Sequence, residues 1–101
     1  MEKIPFTISA AKQDSRALIR ITGTIGWDTN AELFRSQVDG LVAQGVEDVH
    51  IYLNGPGGSC FDAAEIVNIL RSSFTGKITG EGGALVASAY TYIAMHCDSF
   101  E

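Results

Sequence analysis

An α/β fold with a mainly parallel sheet is predicted by three observations. Apolar residues alternate at a period of two in residues 16–25 and 48–53. Runs with a period near that of a helix occupy 31–44 and 60–73, and a cluster of turn residues separates each strand from the helix after it. Strands that alternate with helices imply right-handed crossovers and strands running in parallel.

Taken in order, residues 4–9 read as an edge strand and 10–15 as a polar turn. Residues 16–25 alternate around Leu18, Ile19 and Ile21, with β-branched neighbours, and form a strand. Gly26-Trp27-Asp28-Thr29-Asn30 supplies turn residues, with Asp28, Thr29 or Asn30 as candidate N-caps. Phe34, Val38, Leu41 and Val42 are set at helical spacing in 31–44, and Gly45 suits the helix C-terminus. Val49, Ile51 and Leu53 alternate with His50, Tyr52 and Asn54, so 48–53 is a strand and Asn54-Gly-Pro-Gly-Gly58 a turn. Residues 60–73 place Ala63, Ile66, Val67 and Leu70 on one helical face. Residues 77–80 read as a short strand, Gly82-Gly83 as a break, 84–95 as a helix and 98–101 as the start of another strand. The expected order is β-β-α-β-α-β-α.

The 101 residues make one domain with a modest core. With 46% hydrophobic and 19% charged residues the chain is too apolar for disorder. A net charge of −5 argues against a nucleic-acid partner, whose phosphates require a basic footprint. The longest weakly polar run, 82–95, is too short to span a bilayer, so no membrane partner is expected. Cys60 and Cys97 lack C-x-x-C spacing, and no secretory n-region and h-region opens the sequence; reduced thiols and a cytoplasmic location are expected. No Cys, His and carboxylate set has metal-ligand spacing, and neither a metal nor another cofactor is expected.

In open parallel sheets, sites form beyond the carboxyl ends of the strands. Both glycine segments fall there. Gly57 and Gly58 follow Pro56 and permit backbone angles and close approaches closed to other residues. A strand-to-helix turn of this kind leaves N–H groups that can hold an oxyanion; the other reading is a tight turn with Ser59 as helix N-cap. It is not a P-loop, because Gly76-Lys77 is followed by Ile78, and G-x-G-x-x-G is absent. Ser88 lies between Ala87 and Ala89. Small neighbours let a substrate carbonyl approach a nucleophile; equally, a serine of this size suits a closely packed helix.

A serine alcohol needs a base within hydrogen-bond reach. His96 lies eight positions after Ser88, about 12 Å along a shared helix, and is a poor base. His50 lies on the strand face opposite Val49 and Ile51, as a surface or helix-facing residue. Cys60 and Cys97 read as small buried hydrophobes, Asp62 and Glu65 as solvated carboxylates, and Glu81 as a loop carboxylate near the site. Trp27 reads as a packing or subunit-contact residue.

Tyr52-Leu-Asn-Gly-Pro-Gly-Gly58, the helix after it, and Ala87-Ser-Ala-Tyr-Thr-Tyr-Ile-Ala-Met95 resemble the Clp protease proteolytic subunit (ClpP-like) family. Within it they resemble the phage head-maturation (prohead) protease type. The resemblance covers residues 16–101. It implies a crotonase/ClpP-like spiral of βαβ units, truncated here, and a serine endopeptidase of the ATP-dependent Clp kind. Ser88 maps onto the nucleophile, Gly57 or Gly58 onto the oxyanion hole, and the Ala89 N–H onto its second donor. The implied partners are peptide or protein substrates, further copies in an oligomeric ring, and capsid proteins or an unfoldase.

The sequence departs from the family pattern in three places. The family's triad histidine and aspartate lie downstream of the serine, beyond Glu101. Residues 1–101 are therefore expected to be the N-terminal part of a single protease domain, inactive alone and prone to self-association. Ala84 stands where a glycine is usual, and bulky Tyr90 follows where small residues are common, which bears on local geometry and substrate preference. Two other functions fit the residues. One is a crotonase-type acyl-CoA enzyme using the same oxyanion turn with no role for Ser88; the other is a non-catalytic self-assembling module of the same fold.

Overall fold

The computed structural model describes residues 6–13, 16–27 and 30–101. Its elements are β1 (Phe6–Gln13), β2 (Arg16–Ile25), α1 (Ala31–Ala43), β3 (Asp48–Gly58), α2 (Cys60–Ser73), β4 (Ile78–Val86), α3 (Ala89–Met95) and β5 (Ser99–Phe100). The strands form one sheet in chain order, β1-β2-β3-β4-β5. β1 is antiparallel to β2, and the other neighbours are parallel. The α/β class with a mainly parallel sheet is the class the sequence predicts.

Each crossover from β2 onward advances the sheet by one strand in the same direction. Right-handed connections then stack all three helices on one face. The alternation within the strands agrees. Ile19, Ile21, Ile51, Leu53 and Ile78 point to the helix side and are at most 1% exposed. Phe34 and Val38 of α1, Ile66 and Ile69 of α2, and Ile93 of α3 meet them in the core, all fully buried. The opposite face carries Arg20, His50, Tyr52, Thr79 and Glu81. There Arg20 lies 4.2 Å over the Tyr52 ring, and the His50 ring pairs with Thr79 Oγ1 at 2.7 Å and Glu81 Oε1 at 2.8 Å.

The helix ends follow local chemistry. Asn30 is the α1 N-cap, its Oδ1 accepting the Leu33 N–H at 2.9 Å. Asp28 and Thr29, the other candidates, lie outside the described residues, as does Ile4 of the first expected strand. At the other end the Gly45 N–H donates to Val42 and the Val46 N–H to Leu41, with Gly45 at φ 84°. This paired C-terminal pattern requires a left-handed residue, and glycine fits it without strain.

Four sequence expectations need correction. Residues 10–13 are strand, because β1 keeps pairing with β2 as far as Gln13 opposite Arg16. The stretch 54–58 is extended and continues β3. Thr22 pairs with Asn54, then Thr24 with Gly57, so β3 carries one extra residue there. Pro56 falls in that bulge, where no ladder N–H is required of it. Gly82-Gly83 is no break, since Gly82 pairs with Leu53 and its N–H donates to Glu101 at 3.0 Å. Finally, α3 starts at Ala89 and not at residue 84: Ser88, at φ 55° and ψ −121°, is not helical.

Candidate active site

The turn between β4 and α3 holds Ser88 in a backbone conformation that non-glycine residues rarely adopt, and Ser88 is the described non-glycine residue with positive φ. Such strain persists only where the surroundings impose it. Around it, the Tyr90 N–H donates to Ala87 O at 3.1 Å and the Thr91 N–H to Ser88 O at 2.9 Å. The Ala89 N–H is at the first position of α3, outside the helix's own hydrogen-bond ladder.

Gly57 and Ser88, 31 residues apart in sequence, meet here. A Cβ built on Gly57 would lie 2.6 Å from Ser88 Cβ and 2.9 Å from both Ala87 O and Ala89 N. The β3 backbone at Gly57 therefore lies against the Ser88 turn, an approach only glycine allows. Gly58 differs: a Cβ there would strike the Ile25 backbone of β2. Its register pairs it with Ile25, and the next N–H, that of Ser59, donates to Ile25 O at 2.8 Å. Ser59 is also the α2 N-cap, its Oγ accepting the Asp62 N–H at 3.2 Å. The close approach at the end of β3 and the α2 cap are therefore two residues apart.

Ser88 is exposed and opens on a cleft of about 380 Å³ between α2 and α3. Cys60, Phe61, Ala63, Ala64, Ala89 and Tyr92 complete its lining. Phe61 and Tyr92 are walls the sequence reading did not single out. Phe61 falls outside the stripe of Ala63, Ile66, Val67 and Leu70 and is 91% exposed, and that off-stripe aromatic was the available signal. Cys60 is exposed and lines this cleft, contrary to the buried expectation, because the first residue of α2 faces outward. Tyr90 does not obstruct the cleft. It is fully buried on the opposite side, and its hydroxyl donates to Gly23 O at 2.7 Å.

Neither histidine approaches Ser88. His96 caps the far end of α3, with Nδ1 2.9 Å from Tyr92 O and its ring 4.5 Å from that of Tyr92. His50 is on the helix-free face of the sheet, engaged with Thr79 and Glu81. Glu81 is thus a partner of His50 and not a loop carboxylate beside the serine. Asp62 is half-buried rather than solvated, because its Oδ1 accepts the Ala31 N–H at 3.1 Å and so caps α1. Glu65 is exposed, 3.6 Å from Arg35. Cys97 is half-buried, and its thiol is pushed up to about 11 by burial and by Asp98 beside it. Among the described residues no group of three or more His, Cys, Asp or Glu is placed to hold a metal, and no helix is long and apolar enough to cross a membrane.

The mainly parallel sheet with its helices on one face is a ClpP-like α/β fold. Among solved structures the chain is similar to the ClpP protease catalytic domain from Plasmodium falciparum, with a TM-score of 0.70 and 30% identity over 80% of this chain. The chain spans 44% of the length of that neighbour. No protein-family model matches the chain, and no curated protein matches it.

Proposed function

We propose that this chain carries the nucleophile and oxyanion hole of a ClpP-type serine endopeptidase. The observation that carries the reading is the contact between Gly57 and the strained Ser88 turn beside an open cleft. In this reading Ser88 Oγ attacks a peptide carbonyl held in the cleft, and the Gly58 and Ala89 N–H groups receive the oxyanion. Gly57 serves by its lack of a side chain.

The general base and its aspartate come from outside these 101 residues. Support for that lies in the two histidines, one at the wrong end of α3 and one across the sheet. On the same reading residues 1–101 are the N-terminal part of one protease domain of the phage head-maturation type, which works in a cytoplasm. It assembles as a homo-oligomer and acts on protein substrates, with capsid proteins or an unfoldase as partners.

The test is a Ser88→Ala exchange in the protein that includes the base, read by hydrolysis of a fluorogenic peptide. A loss of about six orders of magnitude in kcat is expected, as for removal of a triad serine. In the 101-residue chain the same exchange changes turnover little, because triad members act as a unit. Unchanged peptidase activity in the base-containing variant refutes the assignment of the nucleophile.

A further inference from the structure

Tyr90 occupies a slot bounded by β2 and β3. Its side chain is fully buried, and its hydroxyl reaches the carbonyl of Gly23, 67 residues earlier in the chain, at 2.7 Å. Gly23 has φ 87° and sits in the register shift of β2 between Thr22 and Thr24. The ring lies against Gly55 of β3, where an added Cβ would come within 2.6 Å of Tyr90 Cε2 and 2.5 Å of Gly23 O. Gly55 also stands at the register shift between β3 and β4. The irregularities of the sheet at its carboxyl edge thus converge on one side chain.

We propose that Tyr90 is a positioning residue that holds the Ser88 turn in register with the oxyanion donors through its hydrogen bond to Gly23. The inference rests on the reading of Ser88 given above. Ser88 is in a conformation its own chain does not favour, and α3, with seven residues, is too short to hold its own first turn. A helix anchored only by apolar packing can slide by fractions of an ångström. Because Gly57 lies against Ala87 O, Ser88 Cβ and Ala89 N, such a slide would carry Ser88 Oγ relative to the Gly58 N–H. The hydroxyl bond fixes that displacement at a point two residues beyond the nucleophile. A phenylalanine would fill the ring's slot equally well, so the hydroxyl is the group whose removal isolates positioning from packing.

The test uses the 101-residue chain and benzylboronic acid, whose phenyl group suits the apolar cleft. Ser88 Oγ adds to trigonal boron, the hydroxyl proton passes to water, and a tetrahedral anionic adduct forms without a protein base. Boron NMR at mildly alkaline pH reads that adduct directly, and Ser88→Ala should abolish it. Tyr90→Phe is expected to retain the circular dichroism of the fold and to weaken adduct formation about ten-fold, the effect of one lost hydrogen bond. A second variant, Tyr90→para-fluorophenylalanine, fills the hydroxyl's space without donating and should show the same loss; it carries the comparison if the phenylalanine variant does not fold. Unaltered adduct affinity in a folded variant overturns the positioning role and leaves the Ser88 reading standing. An unaltered chain with no Ser88-dependent tetrahedral signal overturns both.

Discussion

A Gly57→Ala substitution tests whether β3 and the Ser88 turn lie in contact, and its cost can be built from two other glycines of the same chain. Gly40, inside α1, has open space where a Cβ would go. Alanine there should stabilise the fold by about 0.5–1 kcal/mol through helix propensity alone. Gly45 also has open space but holds φ +84°. Alanine there carries backbone strain without a clash and should cost about 1–2 kcal/mol. Gly57 adds a clash to strain: φ is +110°, and the new Cβ would lie 2.6 Å from Ser88 Cβ and 2.9 Å from Ala87 O and Ala89 N. Two of those atoms are backbone and cannot rotate away. Strain of about 1–3 kcal/mol and overpacking of about 1–3 kcal/mol together give about 4 kcal/mol.

That is a large part of the roughly 5–15 kcal/mol that stabilises a domain. Equilibrium urea unfolding followed by circular dichroism resolves the three cases. With a slope of about 1–3 kcal/mol per molar urea, the Gly57→Ala midpoint should fall by roughly 2 M, the Gly45→Ala midpoint by less than half as much, and the Gly40→Ala midpoint should rise. If Gly57→Ala and Gly45→Ala unfold at the same urea concentration, the close approach is absent and the site argument falls with it.

The two thiols should separate cleanly. Cys60 is exposed in the cleft, whereas Cys97 is half-buried with its thiol held near 11, so an aromatic disulfide reagent at neutral pH should modify Cys60 roughly ten-fold or more faster. Equal rates, measured on the two single Cys→Ala variants, would contradict this placement. The Asp98 carboxylate is held below its ordinary value of 3.8, first by the Ile78 N–H and then by the Arg71 side chain. Its contribution is therefore present above the ordinary aspartate value and lost as pH falls through the lowered one. Thermal melts taken below about pH 5 should show a shallower acid dependence in Asp98→Asn than in the unaltered chain, and parallel curves would remove Asp98 from the acid response.

The expected α/β order was legible because each crossover carries its own periodicity, as in the Val49-Ile51-Leu53 alternation and the Ala63-Ile66-Val67-Leu70 stripe. The edges were not legible, for a common reason. Glycine and proline punctuate a chain only when nothing else pairs with it. Asn54-Gly-Pro-Gly-Gly58 reads as a turn in isolation and is strand because β2 continues alongside it through a bulge. Gly82-Gly83 reads as a break and is strand because Leu53 lies on one side and Glu101 on the other. Within the site, Gly57 and Ser88 were legible as segments at neighbouring carboxyl ends, but the membership of Gly57 in β3 was not. The direction of Tyr90 was not, since it depends on glycines 67 and 35 positions earlier that make room for its ring.

One-sided stacking of the helices also constrains where a base for Ser88 can enter. The serine lies on the helix side of the sheet, between the starts of α2 and α3. His50 belongs to β3, which runs directly beneath, but its side chain leaves from the other face, and a strand cannot exchange its faces without a one-residue slip. Such a slip would expose Val49, Ile51 and Leu53, each at most 1% exposed, and forfeit most of the core contribution of β3. His96 is on the correct side but at the opposite end of α3, about 10 Å along the axis from the helix start at Ala89. Moving it closer would unwind the helix that places the Ala89 N–H. Each histidine is thus held away from Ser88 by the same packing that builds the rest of the site. On the proposed reading, a base for Ser88 would approach over the open side of the cleft that Phe61 and Tyr92 line.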